Sequence, residues 1–255
     1  MTVQTTRAER EKFSYDQGTV YQESSKLQAR FPHVFKCPNS ERLESHFKAE
    51  IERGARGADI LDYGCLDGRL APYYASLQPR KITGIDISEK GIATARERHG
   101  QLATFHLGDA HAMPFADSSF DLVVGRSILH HLDFEIALKE IRRVLRPGGA
   151  AVFHEPLRDN PAAILIRRLT PRARTPDELP ISAAQIRYAD ALFEGPTNHL
   201  FGNLISVPFA AATSLLPMSS NNLVLKMCDK IDLPISRTPL KYWMRCVVLS
   251  WSTAH

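Results

Sequence analysis

Residues 58–70, ADILDYGCLDGRL, set the fold: a short apolar strand runs into a turn that carries carboxylates and glycines. The design recurs in KITGIDIS (81–88), ATFHLGDA (103–110), FDLVVGR (120–126) and GGAAVFHEP (148–156). Between these strands lie segments with helical patterning, from about Gly68 to Ser76, from Glu89 to His99, and through ALKEIRRVL (137–145). Strands alternating with helices imply right-handed crossovers and a parallel sheet. In such a sheet, ligands bind beyond the carboxyl ends of the strands. The acids and glycines of this chain sit at those ends.

Outward from that core the pattern changes. The segment 1–57 reads as helical, with an aromatic and polar run FSYDQGTVY and a second piece, SERLESHFKAEIERG, capped by Asn39 or Ser40 and ending at Gly54. After Pro156 comes a short helix and a Pro- and Arg-rich loop that includes Arg167, Arg168, Arg172 and Arg174. ALFEGPTNHLF fits a sixth strand, and the β-branched and aromatic YWMRCVVLSW a last one. Residues 203–233, between them, read as an inserted helical cap. The reading has three parts: 1–57 covering the site, 58–156 as the core, and 157–255 as the substrate side of the same domain.

The bulk numbers exclude several classes. At 255 residues, 44% hydrophobic and 24% charged, the chain is an ordinary globular one. A net charge of +4 without runs of like charge argues against nucleic acid. The 4 cysteines are scattered, with no CxxC pair and no histidine at ligand spacing, so neither a disulfide frame nor a metal site is expected. The opening MTVQTTRAEREK has no apolar run, so no signal peptide is expected. The apolar stretch 204–218 contains Pro208 and is too short to span a bilayer. A cytoplasmic location, as monomer or homodimer, is the expectation.

Asp62, Gly64, Cys65 and Gly68 occupy the first strand-to-helix turn, where glycine permits a tight bend and close approach of a ligand. The same glycines also suit any tight turn of this kind. Asp86, followed by Ile87, ends the second strand at the spacing that suits a carboxylate binding ribose hydroxyls. Its alternative is a helix cap, a role that Ser88 fills better. Asp109 and Ala110 end the third strand before the apolar Met113-Pro114-Phe115. Arg126 ends the fourth.

With these residues the chain resembles the class I S-adenosylmethionine-dependent methyltransferases, in the small-molecule branch that includes ubiquinone and menaquinone biosynthetic enzymes. The first family motif stands here as Asp62-Tyr63-Gly64-Cys65-Leu66-Asp67-Gly68, with Leu66 where the family carries its middle glycine. Asp86 matches the ribose-binding acid and Asp109-Ala110 the adenine-side pair. Leu129-His130-His131-Leu132 and Val144-Leu145-Arg146-Pro147-Gly148-Gly149 match two further signatures. The resemblance covers residues 58–155. It implies a Rossmann-like, doubly wound, mostly parallel seven-stranded α/β sheet with an antiparallel last strand. It also implies S-adenosyl-L-methionine as cofactor and methyl transfer to a small, partly apolar acceptor.

In-line methyl transfer needs an aligned nucleophile and, for a hydroxyl or amine acceptor, a base near neutral pH. His130 and Glu155, at the ends of the fourth and fifth strands, are the candidates for that chemistry. His154 and Glu155 are adjacent on a strand and face opposite ways, so one of them meets the pocket; Glu155 is the choice. Tyr15 and Tyr21 are placed to cover the cofactor. Because Leu66 replaces a glycine, a descendant that has lost methyl transfer and isomerises, cyclises or only binds its ligand stands as the alternative. A GxxxG turn rather than GxGxxG disfavours a dehydrogenase.

Overall fold

The computed structural model describes residues 7–17, 19–169, 175 and 177–254, with the side chains of residues 8, 19–21, 162 and 166 outside the described set. The core of the fold is a mixed sheet in the order β3-β2-β1-β4-β5-β8-β6, with β7 also paired to β8. Strands β1 (Asp59–Tyr63), β2 (Lys81–Asp86), β3 (Thr104–Leu107), β4 (Phe120–Arg126) and β5 (Leu145–Pro156) run parallel. The last strand, β8 (Cys246–Thr253), lies antiparallel to β5. The expected sixth strand is two short pieces, β6 (Glu194–Thr197) and β7 (Leu200–Gly202), both antiparallel to β8. The sheet thus has eight strands, seven positions with one of them divided.

Side-chain alternation divides the core between the two faces of the sheet. Leu61, Tyr63, Val123, Ala151 and Phe153 pack with α7 (Phe134–Val144) and α9 (Ala183–Phe193). Ile60, Leu122, Val124 and Val152 pack on the other face with Phe47 and Ile51 of α4 (Pro38–Ala55) and Ile92 of α6 (Glu89–His99). α7 forms because Phe134, Ala137, Leu138, Ile141 and Val144 repeat at helical spacing and are all buried. Asp133 caps it, its side chain accepting from the Ile136 N–H at 3.2 Å. Ser88 caps α6 as expected, accepting from Gly91 N–H at 3.0 Å. Short α5 (Ala71–Ser76) joins β1 to β2, starting later than the sequence reading placed it.

α4 begins at Pro38 rather than at an Asn39 or Ser40 cap. Proline suits the first helical position because it lacks a backbone donor that would go unsatisfied there. Asn39 is used elsewhere: its Oδ1 accepts from Asn203 N–H at 2.7 Å and its Nδ2 donates to Asp229 at 2.8 Å. These bonds tie α4 to the segment after β7, where α10 (Ser206–Thr213), α11 (Leu223–Ile235) and a 3-10 turn (Pro239–Trp243) form the helical insertion before β8. α10 packs on α3 (Pro32–Lys36), with Val34 and Cys37 buried against Ala210 and Leu225. The N-terminal helices α1 (Arg7–Gln17) and α2 (Thr19–Arg30) complete one side, and α8 (Pro161–Leu169) follows β5. Among the described residues, no helix is long and apolar enough to cross a membrane.

Candidate functional site

A cavity of about 1320 Å³ opens at the carboxyl ends of β1, β2, β4 and β5. Ligand pockets commonly hold about 300–1,000 Å³, so this one has room for two molecules side by side. Asp62, Gly64, Cys65, Asp86, Ile87, Asp109, Ala110, Arg126, His130 and Glu155 all line it. Gly68 does not. It holds φ +69°, and a Cβ there would lie 2.8 Å from the Phe105 ring, so this glycine lets the turn pack on the strand behind. Tyr21 falls outside the described side chains, as do Arg172 and Arg174.

At the β1 end, Gly64 holds φ +78° and a Cβ on it would strike Ile128 at 2.6 Å. The turn after it is pinned by two backbone bonds, Gly64 N–H and Cys65 N–H to Ile85 O at 2.9 and 3.1 Å. Leu66 also holds a left-handed φ, +46°, the conformation glycine would supply at this position. Its N–H donates to Asp86 Oδ2 at 2.8 Å, and its side chain lies against Gly91 in the first turn of α6. The turn therefore keeps its shape without the middle glycine, at a backbone strain of about 1–2 kcal/mol.

Asp62 is buried, and its one hydrogen bond within the described residues is a long one from Tyr74 O–H at 3.4 Å. Burial pushes its carboxyl up to about 7, with nearby Asp86 adding to the rise. A buried carboxylate short of donors is costly, and a cationic ligand group would supply what is missing. Asp86 differs. Each of its oxygens accepts one backbone bond, from Leu66 N–H and from Ser88 N–H, both at 2.8 Å. A carboxylate offers about four lone-pair sites, so two remain for neighbouring hydroxyls. Burial raises the Asp86 carboxyl too, against those backbone donors. Asp109 is the most open of the three and binds its neighbour His111 through N–H and Nδ1 at 2.9 and 2.7 Å. Ala110 O accepts from Tyr63 O–H at 2.9 Å. Arg126 pairs with Glu44 and stacks over Phe47 at 5.4 Å.

At the β5 end the polar groups are satisfied by one another. Glu155 Oε1 accepts from Ile128 N–H and Leu129 N–H at 2.9 and 3.0 Å, and Oε2 lies 2.6 Å from His130 Nδ1. A carboxylate at Nδ1 favours the tautomer with its proton there and leaves Nε2 as the accepting nitrogen. His154, its neighbour on the strand, packs 6.0 Å from Phe47 and also lines the cavity, where the sequence reading gave the pocket to only one of the two. Burial holds it down to about 3, hence neutral, and its Nε2 has no partner among the described residues.

The sequence reading missed the part played by α1. Glu11 and Tyr15 lie one helical turn apart and both reach His131: Glu11 Oε2 is 3.2 Å from Nδ1, and Tyr15 O–H is 3.0 Å from Nε2. Thr175 O–H donates to Glu11 at 2.6 Å. Arg7 donates to His130 O at 3.1 Å and to Asp177 O at 2.8 Å. At its other end Asp16 accepts from Ser88 O–H at 2.6 Å, beside the β2 turn. One helix thus bridges both ends of the cavity. Tyr15 also lines the cavity that the sequence reading expected it to cover. His130, His131 and Glu178 bring ligand-capable atoms within 4.8 Å of one another. At His131, Tyr15 O–H meets Nε2 at 3.0 Å, while Nδ1 has Glu11 Oε2 at 3.2 Å and Thr175 O–H at 3.4 Å.

The far end of the cavity is lined by Leu27 and Phe31 of α2 and its exit, Val34 of α3, Val207 and Ala211 of α10, and Arg245. Arg245 lies over the Phe35 ring at 4.8 Å.

Residues 61–153 match the methyltransferase domain family. The chain is 40% identical over 105 residues to the demethylmenaquinone methyltransferase of Chlorobaculum parvum, covering 41% of this chain and 43% of that protein. It is 36% identical over 113 residues to an O-methyltransferase of Penicillium expansum, covering 42% and 41%. The chain thus spans less than half the length of these relatives. In structure it resembles the geranyl diphosphate C-methyltransferase of Streptomyces coelicolor, with a TM-score of 0.59 at 14% identity, over 84% of this chain and 81% of that one.

Proposed function

From a class I methyltransferase domain at residues 61–153 we propose that this chain is an enzyme that transfers a methyl group from S-adenosyl-L-methionine to a small, partly apolar acceptor. The observation that carries the reading is one cavity with unlike ends, a donor-poor acid at β1 and a preassembled imidazole–carboxylate pair at β5. The cofactor would bring an electrophilic methyl group on a cationic sulfur, together with an ammonium, a carboxylate and a ribose diol. Asp62 suits the cationic end, and Asp86, with two acceptor sites to spare, suits the diol. Asp109 and Ala110 would meet the adenine side, and Gly64 lets backbone approach closely. In this reading residues 1–57 cover the cofactor, 58–156 bind it, and 157–255 supply the acceptor side.

His130 Nε2 would take the proton of an acceptor O–H or N–H as its lone pair forms the bond to the methyl carbon and the carbon–sulfur bond breaks. Glu155 acts through His130 as a positioning residue, holding ring and tautomer. General base action of this kind contributes about 10²–10⁴ in rate. The apolar far wall motivates an acceptor with a hydrocarbon part. The reading without methyl transfer is not favoured, because the Leu66 side chain rests on Gly91 and the turn keeps its left-handed geometry. Titration calorimetry with S-adenosylhomocysteine is the test: saturable binding is expected, and no heat at millimolar ligand would remove the proposal.

A further inference from the structure

α11 breaks the usual pattern of a surface helix. It buries Leu225, Cys228 and Asp232 against the protein, yet Leu223 and Met227 on its outer side are 72% and 58% exposed. At about 100° per residue, Leu223, Val224, Met227 and Ile231 share one solvent-facing arc, with Lys226 and Lys230 along one border. A surface helix normally turns charge outward, not aliphatic side chains. The apolar surface continues on neighbouring elements, with Phe209 of α10 and Trp243 of the 3-10 turn about half exposed.

The charges are equally one-sided. From residue 203 to the end, the acids are Asp229 and Asp232. Asp229 is paired with Arg42 and Asn39. Asp232 is fully buried and accepts from Ser206 O–H at 2.6 Å and from the N–H groups of Leu204, Ile205 and Ser206. Lys226, Lys230 and Arg237 are exposed. Among the described residues, the outer surface of the cap's own helices therefore offers aliphatic and aromatic groups with cations beside them and no exposed carboxylate.

We propose that α10, α11 and the following 3-10 turn form a docking surface for an anionic lipid bilayer. Aliphatic side chains enter the boundary between headgroups and chains while the lysine ammonium groups reach the phosphates. A second copy of this chain fits less well, since a two-fold contact through this face brings Lys226 and Lys230 toward like charges. The inference does not depend on the methyl-transfer reading. Were both true, α10 would serve as membrane contact on one side and cavity wall, through Val207 and Ala211, on the other.

Flotation of the full chain with phosphatidylcholine vesicles, with or without phosphatidylglycerol, tests it. Binding to the mixed vesicles is expected to exceed that to the neutral ones and to fall with added salt. Lys226→Glu with Lys230→Glu should lower partitioning on the order of fivefold per lysine. Leu223→Ser with Met227→Ser should lower it as well, and both pairs are exposed enough to leave folding intact. Equal partitioning to both vesicle types, or none to either, overturns the proposal. So does a dimer in analytical ultracentrifugation that the Leu223→Ser/Met227→Ser variant dissolves while vesicle binding is unchanged.

Discussion

Asp62 and Glu155 are both buried carboxylates at strand ends on one cavity, and they live in opposite circumstances. Among the described residues, Glu155 meets three donor atoms of its own protein within 3.0 Å, while the Asp62 carboxylate has a single bond at 3.4 Å. A satisfied buried carboxylate belongs to the built scaffold, and removing its partners is expensive. An unsatisfied one raises the energy of the free protein until a ligand supplies positive charge. In the proposed reading the β5 end is already assembled and the β1 end is completed by the ligand.

The largest expected effect lies at the finished end. His130→Ala should lower kcat by about 10²–10⁴, with the dissociation constant for S-adenosylhomocysteine unchanged. Steady-state kinetics beside calorimetry reads both, and an equal loss in binding would erase the distinction between the ends. Glu155→Gln comes next. An amide nitrogen facing Nδ1 disturbs the tautomer while the amide oxygen keeps both backbone donors, so kcat should drop about tenfold to a hundredfold, and chemical denaturation should show a loss of about 1–3 kcal/mol.

Asp62→Asn should act the opposite way on stability. Ligand affinity is expected to weaken about tenfold, while the free protein gains about 1–3 kcal/mol at pH 8, because a neutral amide is cheaper to bury than a charge. The wild-type protein carries the corresponding pH dependence. The folded Asp62 titrates at about 7, well above the ordinary carboxylate value of 3.8, so the folded state binds the proton more tightly. Its contribution is full below pH 4 and is lost as pH rises toward 7 and through it. Between pH 5 and 8, with ligand absent, thermal melting should show this term lowering stability as pH rises in the wild type and missing from Asp62→Asn. The smallest effect is at Leu66→Gly, where relief of the left-handed strain and the added chain entropy of glycine nearly cancel, leaving a change within about 1 kcal/mol.

Much of this contrast was legible in the chain before any coordinates. Short, nearly continuous apolar strands leading to Asp62, Asp86 and Asp109, with helical segments between them, point to parallel pairing buried on both faces and to a shared rim for these acids. Alternation at His154 and Glu155 was a poorer guide, since both line the cavity where only one was expected to. The pairing of Glu155 with His130 depends on neighbouring strands placing a turn over a strand end, which sequence spacing does not encode. α1 was harder still. Its polar composition gives no apolar stripe, and only the i, i+4 placement of Glu11 and Tyr15 hints that both face one target. The division of the edge strand into β6 and β7 comes from the interruption at Asn198 and His199. Asn198 donates to Glu50 at 2.7 Å, and the His199 ring lies 2.8 Å from Asp190.

The most direct test of the account is the proton balance of cofactor binding at the β1 end. Calorimetry of S-adenosylhomocysteine binding at pH 7, in two buffers of different ionisation enthalpy, measures it. The account predicts net proton release on binding, lost in Asp62→Asn, because the ligand's ammonium group favours the charged form of a carboxyl that burial has pushed up to about 7. Proton uptake, or a release that survives in the Asp62→Asn variant, would contradict it.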